Sequence, residues 1–317
     1  MSDNPWLKLK GFSFDQLKVN LTNCLEPTGQ CNRSAIKSHS IQNAGVLSRI
    51  AKDGHLVVLK RVHRDGKHTV DFAKEGANRA TTFTGLCAEH DAELFRPIEA
   101  SEIDVGNEQH LFLLAYRAVL KELHTSMEWA YRLQRVYKKR VALGLSPKNE
   151  PDPAGWLATE RLMASYLTSL YKARYDKALL TGQFSDVTHA VIILPNQAPT
   201  IAVNSLTSDD TLRTPDDVAR VAVNVFPRGR DMVAVFSYLT DEKRHACQLH
   251  AEISIASGDY QKYALSRLLL RCCENFVISP DYFDRMSEQK KNAIKGFFLS
   301  TISKNDTETQ DENLFLF

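Results

Sequence analysis

At 317 residues with a formal net charge of +2, the chain is long enough for two or three cores, and its charge balance excludes a histone-like protein that coats nucleic acid through overall charge. Its 43% hydrophobic and 25% charged residues are ordinary globular usage, and no apolar run reaches the roughly 20 residues that cross a bilayer. The opening Met-Ser-Asp-Asn-Pro carries neither a basic nor an apolar leader, so the expectation is a soluble, cytoplasmic protein whose six cysteines are metal ligands or small core residues rather than disulfides.

Residues 1 to 23 hold Trp6, Leu7, Phe12, Phe14, Leu17 and Leu21 without clear periodicity and read as a lead-in packed on the next part of the chain. Cys24 and Cys31 come next, separated by six residues. Ser38-His39-Ser40-Ile41-Gln42 precedes a short helix, for which Ser40 is the N-cap and Asp53-Gly54 the stop. His55 to His63 is rich in β-branched residues, Arg64-Asp-Gly-Lys67 supplies a turn, and His68 to Phe72 returns, the signature of a β-hairpin. Cys87-Ala-Glu-His90-Asp91 then opens a helix closed by Pro97.

Two long helices are expected, from Glu108 to about Gly144 and from Gly155 to about Gly182. Pro147, Pro151 and Pro153 lie in a connection short enough to make the pair antiparallel. Strand-like segments come after them at Ala190 to Leu194, Thr200 to Leu206, Val221 to Phe226 and Met232 to Leu239, with connections too short for helical crossovers, so the sheet is antiparallel. Helices at Asp241 to Ser257, Asp259 to Asn275 and Pro280 to about Ser303 complete an α+β chain. The polar tail from Lys304 ends in Leu314-Phe-Leu-Phe317, an apolar plug able to dock on a protein partner or on its own domain. The division read from the sequence is 1–100 for a metal-binding module, 108–182 for a helical connector, 186–303 for an α+β domain and 304–317 for the tail.

Thiol and imidazole donors in two separated pairs are what a tetrahedral zinc site needs, because each pair grips one side of the ion. Cys24, Cys31, Cys87 and His90 are the expected ligands, with His39 as the substitute if Cys24 points away. Two thiols on a knuckle, a hairpin, then a helix whose first turn carries the second pair, is the order of a treble-clef zinc module. Cys247 and His250 share a helix face with which His245 does not align, so the group reads as a core cysteine with two half-exposed histidines, and the adjacent Cys272 and Cys273 read as packing residues. No Walker loop, Gly-x-Gly-x-x-Gly, Gly-x-Ser-x-Gly or His-Glu-x-x-His occurs.

The Ser38-to-Gln42 and Cys87-to-Asp91 blocks resemble, over residues 24 to 95, the zinc-containing HNH endonucleases. That resemblance implies a histidine that activates water, an asparagine that orients it and a residue beside the last zinc ligand that holds a catalytic Mg2+ or Mn2+. Carried over, His39 is the base, Asn78 the asparagine and Asp91 the metal-holding residue. The same blocks also resemble uncharacterised bacterial proteins, which implies no activity. Arg132, Arg135, Lys138, Lys139 and Arg140, interleaved with Tyr131 and Tyr137, form a basic stretch able to follow the phosphates of DNA or RNA, although cations at a helix end more commonly just face solvent. The expected function is therefore a zinc-stabilised module that binds nucleic acid or, through its C-terminal domain or its tail, a protein partner. A metal-dependent nuclease is the alternative.

Overall fold

The computed structural model describes residues 19–64, 67–195, 198–214, 218–302 and 311–317. In chain order these form β1 (Lys37–His39), a π turn at Asn43–Leu47, α1 (Ser48–Ile50), β2 (His55–Arg64), β3 (Lys67–Gly76), β4 (Thr82–Thr84) and α2 (Ala88–Glu99). The long helices α3 (Glu108–Ala142) and α4 (Pro153–Thr181) come next, then β5 (Val187–Pro195), β6 (Ile201–Arg213), β7 (Val218–Arg228) and β8 (Asp231–Leu239). The remainder comprises α5 (Lys243–Ala246), α6 (Ala251–Ile255), α7 (Gly258–Cys272), β9 (Phe276–Ile278), α8 (Pro280–Arg285) and α9 (Glu288–Ile302). Among the described residues, no helix is long and apolar enough to cross a membrane.

This is the expected α+β chain, with a long antiparallel helix pair and an antiparallel sheet. Each of the two long helices begins on an acceptor side chain. Asn107 takes the N–H groups of Gln109 and His110, and Asp152 takes those of Ala154 and Gly155. Gly182, at φ 68°, ends α4 in the left-handed conformation that glycine adopts without steric cost. Contacts at both ends fix the antiparallel sense: Tyr116 of α3 donates to Asp176 near the end of α4 at 2.6 Å, while Gly155 at its start packs against Tyr137.

The main sheet has seven strands in the order β3-β2-β9-β6-β7-β8-β5, every neighbour antiparallel. It does not stop at the boundary expected near residue 100. The N-terminal hairpin, whose register runs from His55↔Gly76 to Arg64↔Lys67, joins through Val57↔Ile278 to β9, which pairs in turn with β6. The two turn residues of that hairpin, 65 and 66, lie outside the described residues, as do 1–18 of the lead-in and 303–310 of the tail.

Because strand side chains alternate between faces, the sheet separates two cores. On one face Ala202, Leu206, Ala222, Phe226 and Val235 pack under α2, α3 and the second half of α4. On the other, Val203, Val221, Val223 and Phe236 pack under α7, α9 and the chain end. β7 and β8 are therefore apolar almost throughout rather than alternating, as a strand covered on both sides must be.

Four local expectations change. The segment after Ser40 forms a π turn and a three-residue helix rather than a regular helix. Pro97 does not close α2, which continues to Glu99, because the bond it forgoes would reach only the carbonyl of solvent-exposed Glu93 in the last turn. The helix expected over 241–257 is broken into short helical turns. The helix from Pro280 is interrupted at Met286, whose backbone is extended.

Candidate metal centre

Cys24 and Cys31 flank a knuckle that is shaped before any ion is considered. Gly29 N–H donates to the Glu26 carbonyl across a turn with Pro27 in its second place, and Gly29 takes φ 68°. The Glu26 carboxylate is buried inside this loop. It accepts from Thr28 N–H at 2.7 Å, Thr28 Oγ1 at 2.8 Å, Gln30 N–H at 2.6 Å and Cys31 N–H at 3.0 Å. Burial pushes this carboxyl up, but the bonds from Thr28, Cys31 and Gln30 outweigh it and leave the group below its usual value. Sequence reasoning missed Glu26. Its signal was an acid two residues after the first ligand, opening a short loop whose N–H groups need acceptors.

The second pair sits at the start of α2. Cys87 is the N-cap residue, with extended backbone, and His90 stands one turn later. The knuckle is laid along the chain leading into this helix by Leu25 N–H to the Gly85 carbonyl and Ile36 N–H to the Leu86 carbonyl, each at 2.8 Å. Cys87 N–H itself donates to Cys24 Sγ at 3.2 Å. The His90 backbone N–H draws the Cys87 thiol below its usual value, whereas burial pushes Cys24 up to about 11. Cys87 is thus the readier thiolate, and Cys24 needs a cation beside it to ionise.

These four donors converge. Their ligand atoms all lie within 4.8 Å of one another, with Cys24 Sγ to His90 Nδ1 at 3.5 Å, Cys87 Sγ to His90 Nδ1 at 3.3 Å and Cys31 Sγ to Cys87 Sγ at 3.9 Å. A zinc ion at about 2.3 Å from sulfur and about 2.0 Å from nitrogen places tetrahedral S–S pairs about 3.8 Å apart and S–N pairs about 3.5 Å apart. The separations agree with those edges, so the Cys3His geometry is consistent with a structural zinc. Among the described residues no cysteine forms a disulfide, and this is the one group of three or more such donors.

The chain matches no family model, no curated protein and no solved structure. What the site can do is therefore argued from its own atoms.

The other candidate residues are not among the four converging donors. His39 ends β1, paired with β4 at Thr82, and its Nε2 donates to the Ala77 carbonyl at 2.9 Å. Asn78 is exposed and accepts from Asn43 at 3.3 Å. Asp91 lies on α2 with its backbone N–H on the Cys87 carbonyl, and neither it nor His39 belongs to a group of three donors. In the basic stretch, Arg140 is engaged by the α3–α4 connection, bonding Ser146 at 2.9 Å and pairing with Asp152, and Arg132 pairs with Glu128 of its own helix. Arg135, Lys138 and Lys139 are exposed.

His250 is buried, stacked on Phe236 and Tyr238, and Cys273 is fully buried with its thiol pushed up by desolvation. Both are core. The Leu-Phe-Leu-Phe end docks on its own fold rather than standing free for a partner. Leu314 and Leu316 are buried, Leu316 N–H donates to Ser266 Oγ at 2.9 Å, and Tyr282 Oη donates to the Phe315 carbonyl at 2.9 Å.

Proposed function

We propose that Cys24, Cys31, Cys87 and His90 hold one structural zinc ion in a treble-clef-like module, and that the chain works as a binding module rather than a catalyst at this centre. The observation that carries the reading is the convergence of four protein donors at tetrahedral separations. Four protein ligands leave no position for water or substrate, which is the mark of a structural rather than a catalytic zinc. The ion would clamp the knuckle to the first turn of α2, and Cys24, Cys87, Phe95 and Ile98 join the same core as α3. Metal analysis by mass spectrometry tests it: one zinc per chain is expected, lost in Cys87→Ser. A chain that takes up no zinc when titrated in reducing buffer sinks the reading.

For the ligand, Arg135 and Lys138 beside exposed Tyr131 support a nucleic-acid contact on α3. Anisotropy with short labelled DNA and RNA should show binding that weakens with salt and falls in the double variant Arg135→Ala, Lys138→Ala. Equal binding by that variant would remove the assignment.

The HNH-like nuclease is a second reading, favoured by the run of β1, β4 and α2. His39 at the end of β1 has Nε2 committed to a carbonyl, which in the neutral ring leaves the lone pair on Nδ1. With Mg2+ or Mn2+ near Asp91 and Asn78 alongside, plasmid nicking abolished by His39→Ala with zinc content intact would support it. No nicking by the parent would end it.

A further inference from the structure

α4 is apolar on two opposite sides, and among the described residues only one of them is covered. Tyr171, Tyr175 and Ala178 point into the core, and Ala154, Ala158, Ser165 and Thr168 are buried along the same side of the helix. On the other side Trp156, Leu162, Met163, Tyr166, Leu170 and Leu180 are between 47% and 62% exposed. Five of these six follow one heptad seam: Trp156, Met163 and Leu170 are seven apart, as are position 159, Tyr166, position 173 and Leu180. Seam positions alternating three and four apart are the pattern of a helix that packs lengthwise on another helix. A helix with a second, solvent-facing seam is an interface awaiting its partner.

We propose that this seam binds a second copy of the chain, α4 against α4, in an antiparallel two-fold pair. An antiparallel register centred on position 168 puts positions 156 and 180, 159 and 177, 163 and 173, and 166 and 170 in common layers, as any seam of this spacing allows. Trp156 then faces Leu180 of the second copy, Met163 faces Ala173, Tyr166 faces Leu170, and Lys177 faces Thr159. A large side chain meets a small one in the Met163 layer, and each layer occurs twice because the pairing is isologous. The parallel alternative would set Lys177 against Lys177, two ammonium groups in one layer, which charge repulsion disfavours.

The area suffices. At these exposures each of the five seam side chains offers roughly 100 Å2, so the pair buries on the order of 1,000 Å2, about the least that a specific interface needs.

The test uses the full zinc-loaded chain in reducing buffer. Sedimentation velocity between about 1 and 100 µM should show twice the chain mass at the upper end. The double variant Met163→Glu, Leu170→Glu should weaken association by at least 100-fold, with unchanged circular dichroism and zinc content, since both residues are exposed in the protomer. For orientation, Thr159→Cys mixed with Lys177→Cys should cross-link on mild oxidation beyond the parent's background, and Thr159→Cys alone should not. Cross-linking of Thr159→Cys with itself would overturn the antiparallel pair. A parent that stays monomeric at 100 µM would overturn the second copy as occupant, leaving the seam to a helix of another protein.

Discussion

The Asn275 side-chain amide donates to the Ser40 hydroxyl at 2.8 Å, across 235 positions of sequence. Asn275 also donates to the Asn204 carbonyl at 2.6 Å, and Ser40 passes its own proton to the Thr81 carbonyl at 2.9 Å. One chain of bonds thus ties the start of the N-terminal third to β6 and to the turn before β9. Asn275→Ala strips partners from buried acceptors and should destabilise by about 1–3 kcal/mol, read as a lower urea midpoint with unchanged slope. A change under about 0.5 kcal/mol, the range of an ordinary surface substitution, would show that the tie is not structural.

Glu26 gives a second prediction. Replacing it with alanine takes the acceptor from the N–H groups of Thr28 and Cys31, leaves Gln30 N–H only the long bond to Thr28 Oγ1, and lets the knuckle spread. Residues that orient metal ligands are worth about 10–100-fold in metal affinity, and Glu26→Ala should lose zinc to a chromophoric chelator by that margin. Unchanged competition would mean that the loop is rigid without the carboxylate.

A third concerns the helix pair. Lys172 is buried and bonds both oxygens of Asp176, at 2.8 and 2.7 Å, and Tyr116 donates to the same carboxylate. Asp176→Ala strands the ammonium among aromatic rings, and removing one partner of a buried pair costs about 3–5 kcal/mol. Asp176→Ala with Lys172→Met should recover much of that loss. If the double variant is no more stable than the single one, the stranded charge is not the cause.

The fourth is a pH dependence. His189 bonds Ser237 Oγ through Nδ1 at 2.8 Å, its Nε2 is buried without a partner, and burial holds its pKa down at about 4. The unfolded chain binds the proton near pH 6.5 and the folded chain only near 4. Stability from this group is therefore complete above about pH 6.5 and falls as pH drops toward 4, by up to about 3 kcal/mol. His189→Asn, which can keep the bond to Ser237 without titrating, should flatten that part of the profile. An equally steep profile in the variant would assign the acid lability elsewhere.

The metal ligands were legible because Cys-x-x-His at a helix start is a local pattern: Cys87 and His90 are set one turn apart by the helix itself. Pairing them with Cys24 and Cys31 needed only the chemistry of the donors. Glu26 was not legible, because its role is to accept bonds from a loop whose shape no period encodes. The helices α3 and α4 were read nearly to the residue from their apolar residues and the prolines and glycines that bound them, whereas β9 was invisible. Phe276-Val-Ile278 is too short to show alternation, and it falls in the gap between the helix expected to end at Asn275 and the one expected to start at Pro280. The second seam of α4 hid for the opposite reason: apolar residues on two sides look from the sequence like simple burial.

The position of β9 bears on how the chain reaches its fold. Residues 276–278 lie between β2 and β6, so during synthesis the N-terminal hairpin has no edge to add to until those residues, some 200 positions downstream, have left the ribosome. Pairings of such sequence separation close late and slowly. Until then the first hundred residues must wait with one flank of their hairpin bare, and a knuckle already locked on its cation would keep that waiting segment from collapsing elsewhere.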